Sequence, residues 1–305
     1  MDLPIDPTQN DDSPQELVRA LPSRRARQRV LEAAGISMDA DDRAFSEALD
    51  ELTQIQLRRV ASQLQFAGKR TVFYCRVPGL RGVSADGATG RVGDVGSPGV
   101  YGPEVQTVVS DHDRVYVVCN VPDTGSQTQL TLTKEARPTT VVTFEPRSEL
   151  VAVRAPDAST ADATIRALLN FFELEASSTV RFLDGGFRDR FEDACVDGYS
   201  TVRLRNTEST DTTSEIEVRS SETQTGAPSD VRADALLEAL LRRDDTQLDS
   251  ATGLVSLRTD LRSVDGRTPF RPRVTIDFTD SAVTFEQFVP EQVLIAFDDV
   301  VRGVL

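Results

Sequence analysis

Apolar side chains recur along this chain with two different periods, and the change from one to the other falls near residue 70. Before it, apolar positions lie three and four residues apart. Phe45, Ala48, Leu49 and Leu52 fall at i, i+3, i+4 and i+7, and Leu57, Val60, Ala61 and Leu64 repeat the spacing. Such a stripe is one face of an α-helix. Two shorter helices are expected ahead of these. Ser13-Pro14-Gln15-Glu16 combines capping-box spacing with proline at the first helical position, and Pro22 ends that helix. Ser23 is placed to cap the next, over 24–34, with Gly35 closing it. Asp39 or a neighbouring Asp caps the third, and Gly68 ends the fourth. Four short amphipathic helices bury one small core, so 14–70 is expected to be a compact helical module.

Beyond residue 70 the pattern becomes short runs rich in Val, Phe, Tyr and Thr. Strands are expected at Thr71–Val77, Arg114–Val121, Thr128–Thr133, Thr139–Glu145 and Glu149–Arg154, and their close spacing suggests antiparallel neighbours. Ser159-x-x-Asp162 then opens a helix to about Glu173, with Ile165, Leu168, Leu169 and Phe172 on one face. Residues 177–198 read only as a turn at Asp184–Gly186 and a short helix near Arg190. Further strands are expected at Tyr199–Arg205, Ser214–Arg219, Leu254–Leu261, Arg273–Phe278 and Ala282–Phe288. Ser229 or Asp230 caps a helix bearing Leu236, Leu237, Leu240 and Leu241. Pro290 starts a last one with Leu294, Phe297, Val301 and Val304 inward.

The fold class is therefore α+β: a small helical bundle followed by a mixed, mainly antiparallel β body with flanking helices. Residues 1–13 are a disordered acidic tail and 14–70 the helical module. Residues 71–205 are an α+β domain interrupted by a Gly-rich loop, 78–103, whose length marks it as functional or disordered. Residues 206–305 are a further α+β segment, a second half of the same body. The runs 148–154 and 214–219 both precede a polar loop and a leucine-bearing helix, either as a duplicated unit or as two ordinary strand–loop–helix passages.

Charge alters this picture in one place. The chain carries 49 Asp+Glu against 34 Lys+Arg, a net −15, and Lys69 and Lys134 are its only lysines. That composition resembles proteins of salt-accumulating archaea; it identifies no family. The resemblance implies that hydrated carboxylates serve solubility, so the −15 does not point to a cationic substrate. In molar salt the Debye length is roughly 3 Å, and anion binding then relies on direct bidentate contacts, which Arg makes better than Lys. Residues 14–70 stand apart, with ten basic residues against eight acidic.

Several groupings are candidates for chemistry. Arg24, Arg25, Arg27 and Arg29 crowd the second helix and Arg58 and Arg59 the fourth. Exposed helical arginines suit a macromolecular partner, either a protein or a phosphate backbone. The same residues equally fit pairing with Glu32, Asp39, Asp41 and Asp42. Asp111-His112-Asp113 holds the only histidine, and neighbours in an extended segment point to opposite sides. Asp184, Asp189, Glu192, Asp193 and Asp197 are dense enough to suggest divalent metal, although a solvated face accounts for them in so acidic a chain. Cys75, Cys119 and Cys195 lack zinc-site spacing and read as buried thiols. The Gly-rich loop has no phosphate-cradling motif.

The expected function is that of a non-enzymatic binding or regulatory protein, with the helical module docking to a macromolecular partner and self-assembly included. Two alternatives stand beside it: a nucleic-acid-binding regulator using the Arg-rich helix, and a metal-dependent hydrolase or nuclease. No metal or cofactor is expected. The lack of an 18-residue apolar run and of signal-peptide features at MDLPIDPTQNDDSP leads to a cytoplasmic, membrane-free expectation.

Overall fold

The computed structural model describes residues 14–19, 21, 23–36, 42–64, 71–83, 104–111, 114–120, 139–174, 178–180, 182, 184–206, 215–220, 230–243, 245–259 and 270–305. It is an α+β protein, with helices and antiparallel sheet in one chain. The chain groups into two compact units, one of Met1–Lys69 with Arg181–Leu305 and one of Arg70–Val180. No helix among the described residues is long and apolar enough to cross a membrane.

The N-terminal helices are α1 (Pro14–Arg19), α2 (Arg24–Ala33), α3 (Asp42–Asp50) and α4 (Gln54–Leu64). Ser23 caps α2 by accepting from Ala26 N at 3.2 Å. Gly35 ends the helix at φ 72°, and Ile36 N donates back to Leu31 O at 2.8 Å. That reversal requires the left-handed conformation glycine adopts at no steric cost. A capping box unforeseen in the sequence starts α4: Thr53 Oγ1 accepts from Gln56 N, and Gln56 Oε1 accepts from Thr53 N at 2.9 Å. Val18, Val30, Leu31, Phe45, Leu49 and Val60 form one buried cluster, with Leu52, Leu64 and Phe288 packed against it.

In the unit Arg70–Val180, strands β1 (Thr71–Arg76), β2 (Glu104–Asp111), β3 (Arg114–Asn120), β4 (Thr139–Glu145) and β5 (Leu150–Arg154) pair antiparallel in the order β2-β3-β4-β5-β1. Helix α5 (Ala158–Phe171) follows, and β6 (Ser178–Thr179) pairs with β1. The cap of α5 is Asp157, two residues before the expected Ser159; its carboxylate accepts from Thr160 N at 2.8 Å. Every residue of β5 is buried. Of the Gly-rich loop, residues 78–83 are described. Gly79 takes φ 83°, and a short turn at Leu80–Gly82 buries Leu80. The remainder of the loop, the expected strand Thr128–Thr133, the tail 1–13 and the caps near Asp39 lie outside the described residues.

The C-terminal part contains α6 (Gly185–Cys195), β7 (Val196–Asn206), β8 (Glu215–Arg219), α7 (Ala235–Leu241), β9 (Thr246–Val255), β10 (Arg273–Asp277), β11 (Ala282–Phe285) and α8 (Glu291–Val304). Three sequence expectations change here. Residues 185–195, expected as a turn and a short helix, form three turns capped by Asp184. Asp230 caps a single 3₁₀ turn, and Asp234 caps α7. The strand expected at 254–261 runs over 246–255 instead. The sheet order is β11-β10-β9-β7-β8, antiparallel throughout. Val218, Val202, Ala251, Ile276 and Val283 lie in one cross-strand row, all buried. Phe285 meets Phe297 of α8 edge-on at 5.5 Å, and Phe297 meets Phe191, which stacks with Phe182 and Phe187.

Candidate functional site

The arginines singled out in the sequence divide into two sets. Arg29 turns inward: its guanidinium donates to Phe288 O at 3.0 Å and Gln287 Oε1 at 3.2 Å, and lies 4.4 Å over the Phe270 ring. Burial and the charge of nearby Arg25 lower its pKa. Arg27 is half-buried, with its guanidinium over Phe45. Arg24, Arg25, Arg58 and Arg59 are exposed. The row of six is thus an inward pair, one member of which joins α2 to the strand–helix connection before α8, and four outward cations.

The carboxylate run is likewise dispersed. Asp184 caps α6, and Asp197 accepts from Ser256 Oγ at 2.8 Å and pairs with Arg271 at 3.2 Å. Glu192 accepts from the Tyr199 hydroxyl at 3.1 Å, with Arg188 and Arg232 each 3.7 Å away. Burial raises the Glu192 pKa against the pull of those two cations. Among the described residues no three His, Cys, Asp or Glu groups gather as a metal would need. Asp111 ends β2, whereas His112 and Asp113 lie outside the described residues. All three cysteines are buried, and burial pushes the Cys119 and Cys195 thiols up to about 12.

The feature that sequence reasoning missed lies on the other face of the C-terminal sheet. Antiparallel sheets commonly pack one face and wet the other, and here the wet face is concave and polar. A groove of about 820 Å³ crosses it, lined by Ser200, Thr201, Arg203, Glu217, Arg219, Ser220, Ser250, Thr252, Arg273, Thr275 and Glu286. Cross-strand register builds it in rows. Arg219, Thr201, Thr252 and Thr275 stand opposite one another in turn across β8, β7, β9 and β10. Two residues along, Glu217, Arg203 and Ser250 do the same.

A β-bulge shapes the centre. The β7–β9 register shifts between Tyr199 and Thr201, so the adjacent Ser200 and Thr201 both line the groove, where a regular strand would send them to opposite faces. Gly253 makes the close approach possible. A Cβ there would stand 2.3 Å from Gly198 O.

The groove's side chains are tied to one another. Glu217 accepts from Arg203 Nε at 3.0 Å and from Arg219 Nε, and these guanidiniums, Arg219 first, hold its carboxyl below the usual range. Arg273 donates to Ser200 Oγ at 3.1 Å, and Ser200 donates to Thr252 O at 3.1 Å. Thr275 donates to Glu286 at 2.6 Å, and its oxygen lies 2.8 Å from Thr252 Oγ1. A second hollow, of about 400 Å³, shares Ser200 and Arg273 and adds Tyr199, Asp230 and Leu254. The available signal was the polar half of the alternation: Arg, Glu, Ser and Thr at the outward positions of several strands. No protein-family model matches this chain, and no curated protein matches it either.

Proposed function

We propose that this chain is a non-enzymatic binding or regulatory protein that docks a macromolecular partner, a protein in preference to nucleic acid. The observation that carries the reading is the open groove on the C-terminal sheet, in which cross-strand register sets Arg203, Arg219 and Glu217 together and Arg273 and Glu286 complete the lining. Its lining of Ser, Thr, Arg and Glu departs from the mainly apolar walls of small-molecule clefts and suits a segment of a larger molecule. Among the described residues no aromatic side chain lines it, and a single-stranded nucleic-acid groove relies on stacking platforms. The buried thiols and a Glu217 carboxylate held ionised by two guanidiniums suit fixed recognition better than nucleophile or base chemistry. The helices of 14–70 act as a compact module braced by Arg29 against the C-terminal part, in a salt-rich cytoplasm.

A photo-crosslinking residue at Thr201, in the groove, is expected to capture the partner in native-salt extract, and Ser250→Trp to abolish that capture. Adducts formed only from position 55, an exposed site beside Arg58 and Arg59, would move docking to the helices. The four exposed arginines favour nucleic acid as the second reading. Titration of DNA and RNA with the wild type and with Arg25→Glu/Arg58→Glu in concentrated KCl tests it; equal binding by both proteins removes these helices from the argument.

A further inference from the structure

Resting on the reading above, we propose that the groove takes an extended acidic peptide segment of the partner, its carboxylates seated at Arg273, Arg203 and Arg219 and its backbone N–H groups on a hydroxyl floor. The first support is the direction of the hydrogen bonds. A hydroxyl has one proton and two lone pairs. Thr275 gives its proton to Glu286, so the 2.8 Å contact with Thr252 must be donated by Thr252. Ser200 gives its proton to Thr252 O. All three of these protons are taken by acceptors of the protein itself, so Ser200, Thr252 and Thr275 meet a ligand with lone pairs, while Thr201, Ser220 and Ser250 at the edges of the groove can donate or accept. Phosphate oxygens are acceptors only and find no partner at those three central hydroxyls. A peptide backbone brings N–H donors at regular spacing.

The rim has the opposite character. Arg273 contacts Ser200 and, among the described residues, has no carboxylate partner. Arg203 and Arg219 each engage Glu217 through Nε, which leaves other guanidinium N–H groups for a ligand. The lining carries three arginines against two glutamates within a chain of net −15. It is a local reversal of charge that complements an acidic segment. Complementarity of this sort selects partners and fixes register more than it adds raw affinity.

The test uses the full chain in concentrated KCl and fluorescence anisotropy with labelled ten-residue probes: alternating Asp and Ser, and a matched Asn and Ser control. Charge-assisted contacts to guanidinium lead to about tenfold tighter binding of the acidic probe, and about tenfold loss in Arg273→Gln. Thr252→Val, which keeps the shape and removes a floor acceptor, is expected to weaken binding about threefold. Circular dichroism and melting confirm that each variant folds, and Arg203→Gln replaces Arg273→Gln if the latter does not. Equal affinity for both probes, or wild-type affinity in the folded arginine variants, would overturn the proposal. Preference for polyphosphate or oligothymidylate over the acidic probe would do the same. A partner crosslinked from Thr201 alongside no affinity for the acidic probe would leave the binding-protein reading standing and remove this one alone.

Discussion

The strands of the two units share the same antiparallel pairing and treat their faces in opposite ways. In Arg70–Val180, consecutive residues are buried: Val115 to Cys119 in β3, Val141 to Glu145 in β4, and all of β5. In the C-terminal sheet burial alternates, so that Val202, Ala251, Val274 and Ile276 are buried while Arg203, Ser250, Thr252, Arg273 and Thr275 are not. A strand buried on both sides contributes packing. One buried on a single side leaves a row of side chains free for recognition, held in place by the packed face beneath. Polar decoration of a rigid, half-packed sheet is therefore where binding chemistry is to be sought in this molecule.

A charge scan puts that contrast at its greatest. Ala152→Asp and Val153→Asp in β5 should both be severely destabilising, by about 3–5 kcal/mol each, because either face leaves a carboxylate buried without a partner. In β9, Ala251→Asp should behave likewise, and Thr252→Asp should leave the denaturation midpoint close to wild type. Tolerance of Val153→Asp would show that one face of β5 is wet after all.

Ion pairs sharpen the same comparison. Arg114 and Glu145 meet at 2.7 Å with side chains 10% and 4% exposed, whereas the Arg203–Glu217 pair of the groove is far more open, at 54% and 26%. Breaking a buried pair strands a charge, so Glu145→Gln should cost about 3–5 kcal/mol in urea titrations. Glu217→Gln should leave the midpoint unmoved, since exposed pairs contribute little.

The bulge gives the next effect. Gly253→Ala drives a methyl into Gly198 O and should destabilise by about 1–3 kcal/mol, with groove binding lost along with it. Gly198→Ala meets the Asp230 side chain at 3.3 Å, a group able to shift, and should be milder. The two thermal midpoints, compared side by side, decide this.

The smallest effect depends on pH. Hydrogen bonds from the Ser159 hydroxyl and Thr160 N hold the Asp157 carboxyl below its ordinary value. The folded state thus binds this proton less readily than the unfolded chain. Its stabilising contribution is complete above the ordinary Asp range and fades as pH falls through the depressed value. Asp157→Ala should cost about 1 kcal/mol at neutral pH as a lost helix cap, and the difference from wild type should vanish in acid. Glu192 has the opposite sign. Burial raises its pKa, so its titration disfavours the fold as pH climbs from the ordinary carboxylate value to the raised one. Tyr199→Phe, by removing a hydrogen bond to the carboxylate, should raise that pKa further, as carboxyl NMR would report.

Local rules reached far along this chain. Ser23, Gly35 and Pro290 stand where capping and turn chemistry put them, and the stripe of Phe45, Leu49 and Leu52 joins a buried cluster. The two misses have different causes. Strand β9 reads TQLDSATGLV, poor in strand formers because its outward half is hydroxyl and carboxylate. Helix α6 was obscure because its inner face is two aromatic rings, Phe187 and Phe191, with Cys195 rather than an aliphatic stripe, and Phe182 of the approach stacks on both rings.

What the sequence by itself determined is the alternation of polar and apolar positions, the caps and turns, and the scarcity of lysine, since each depends on neighbours within a few residues. Tertiary structure alone decided which arginines face solvent and which outward strand positions meet. Arg29 reaches Phe288 and Gln287, more than 250 residues away in sequence. The groove exists only because β7, β8, β9 and β10 align their polar halves and a bulge at Ser200 brings two neighbours to one face. Register between distant strands is set by packing of the buried face, and no local period records it.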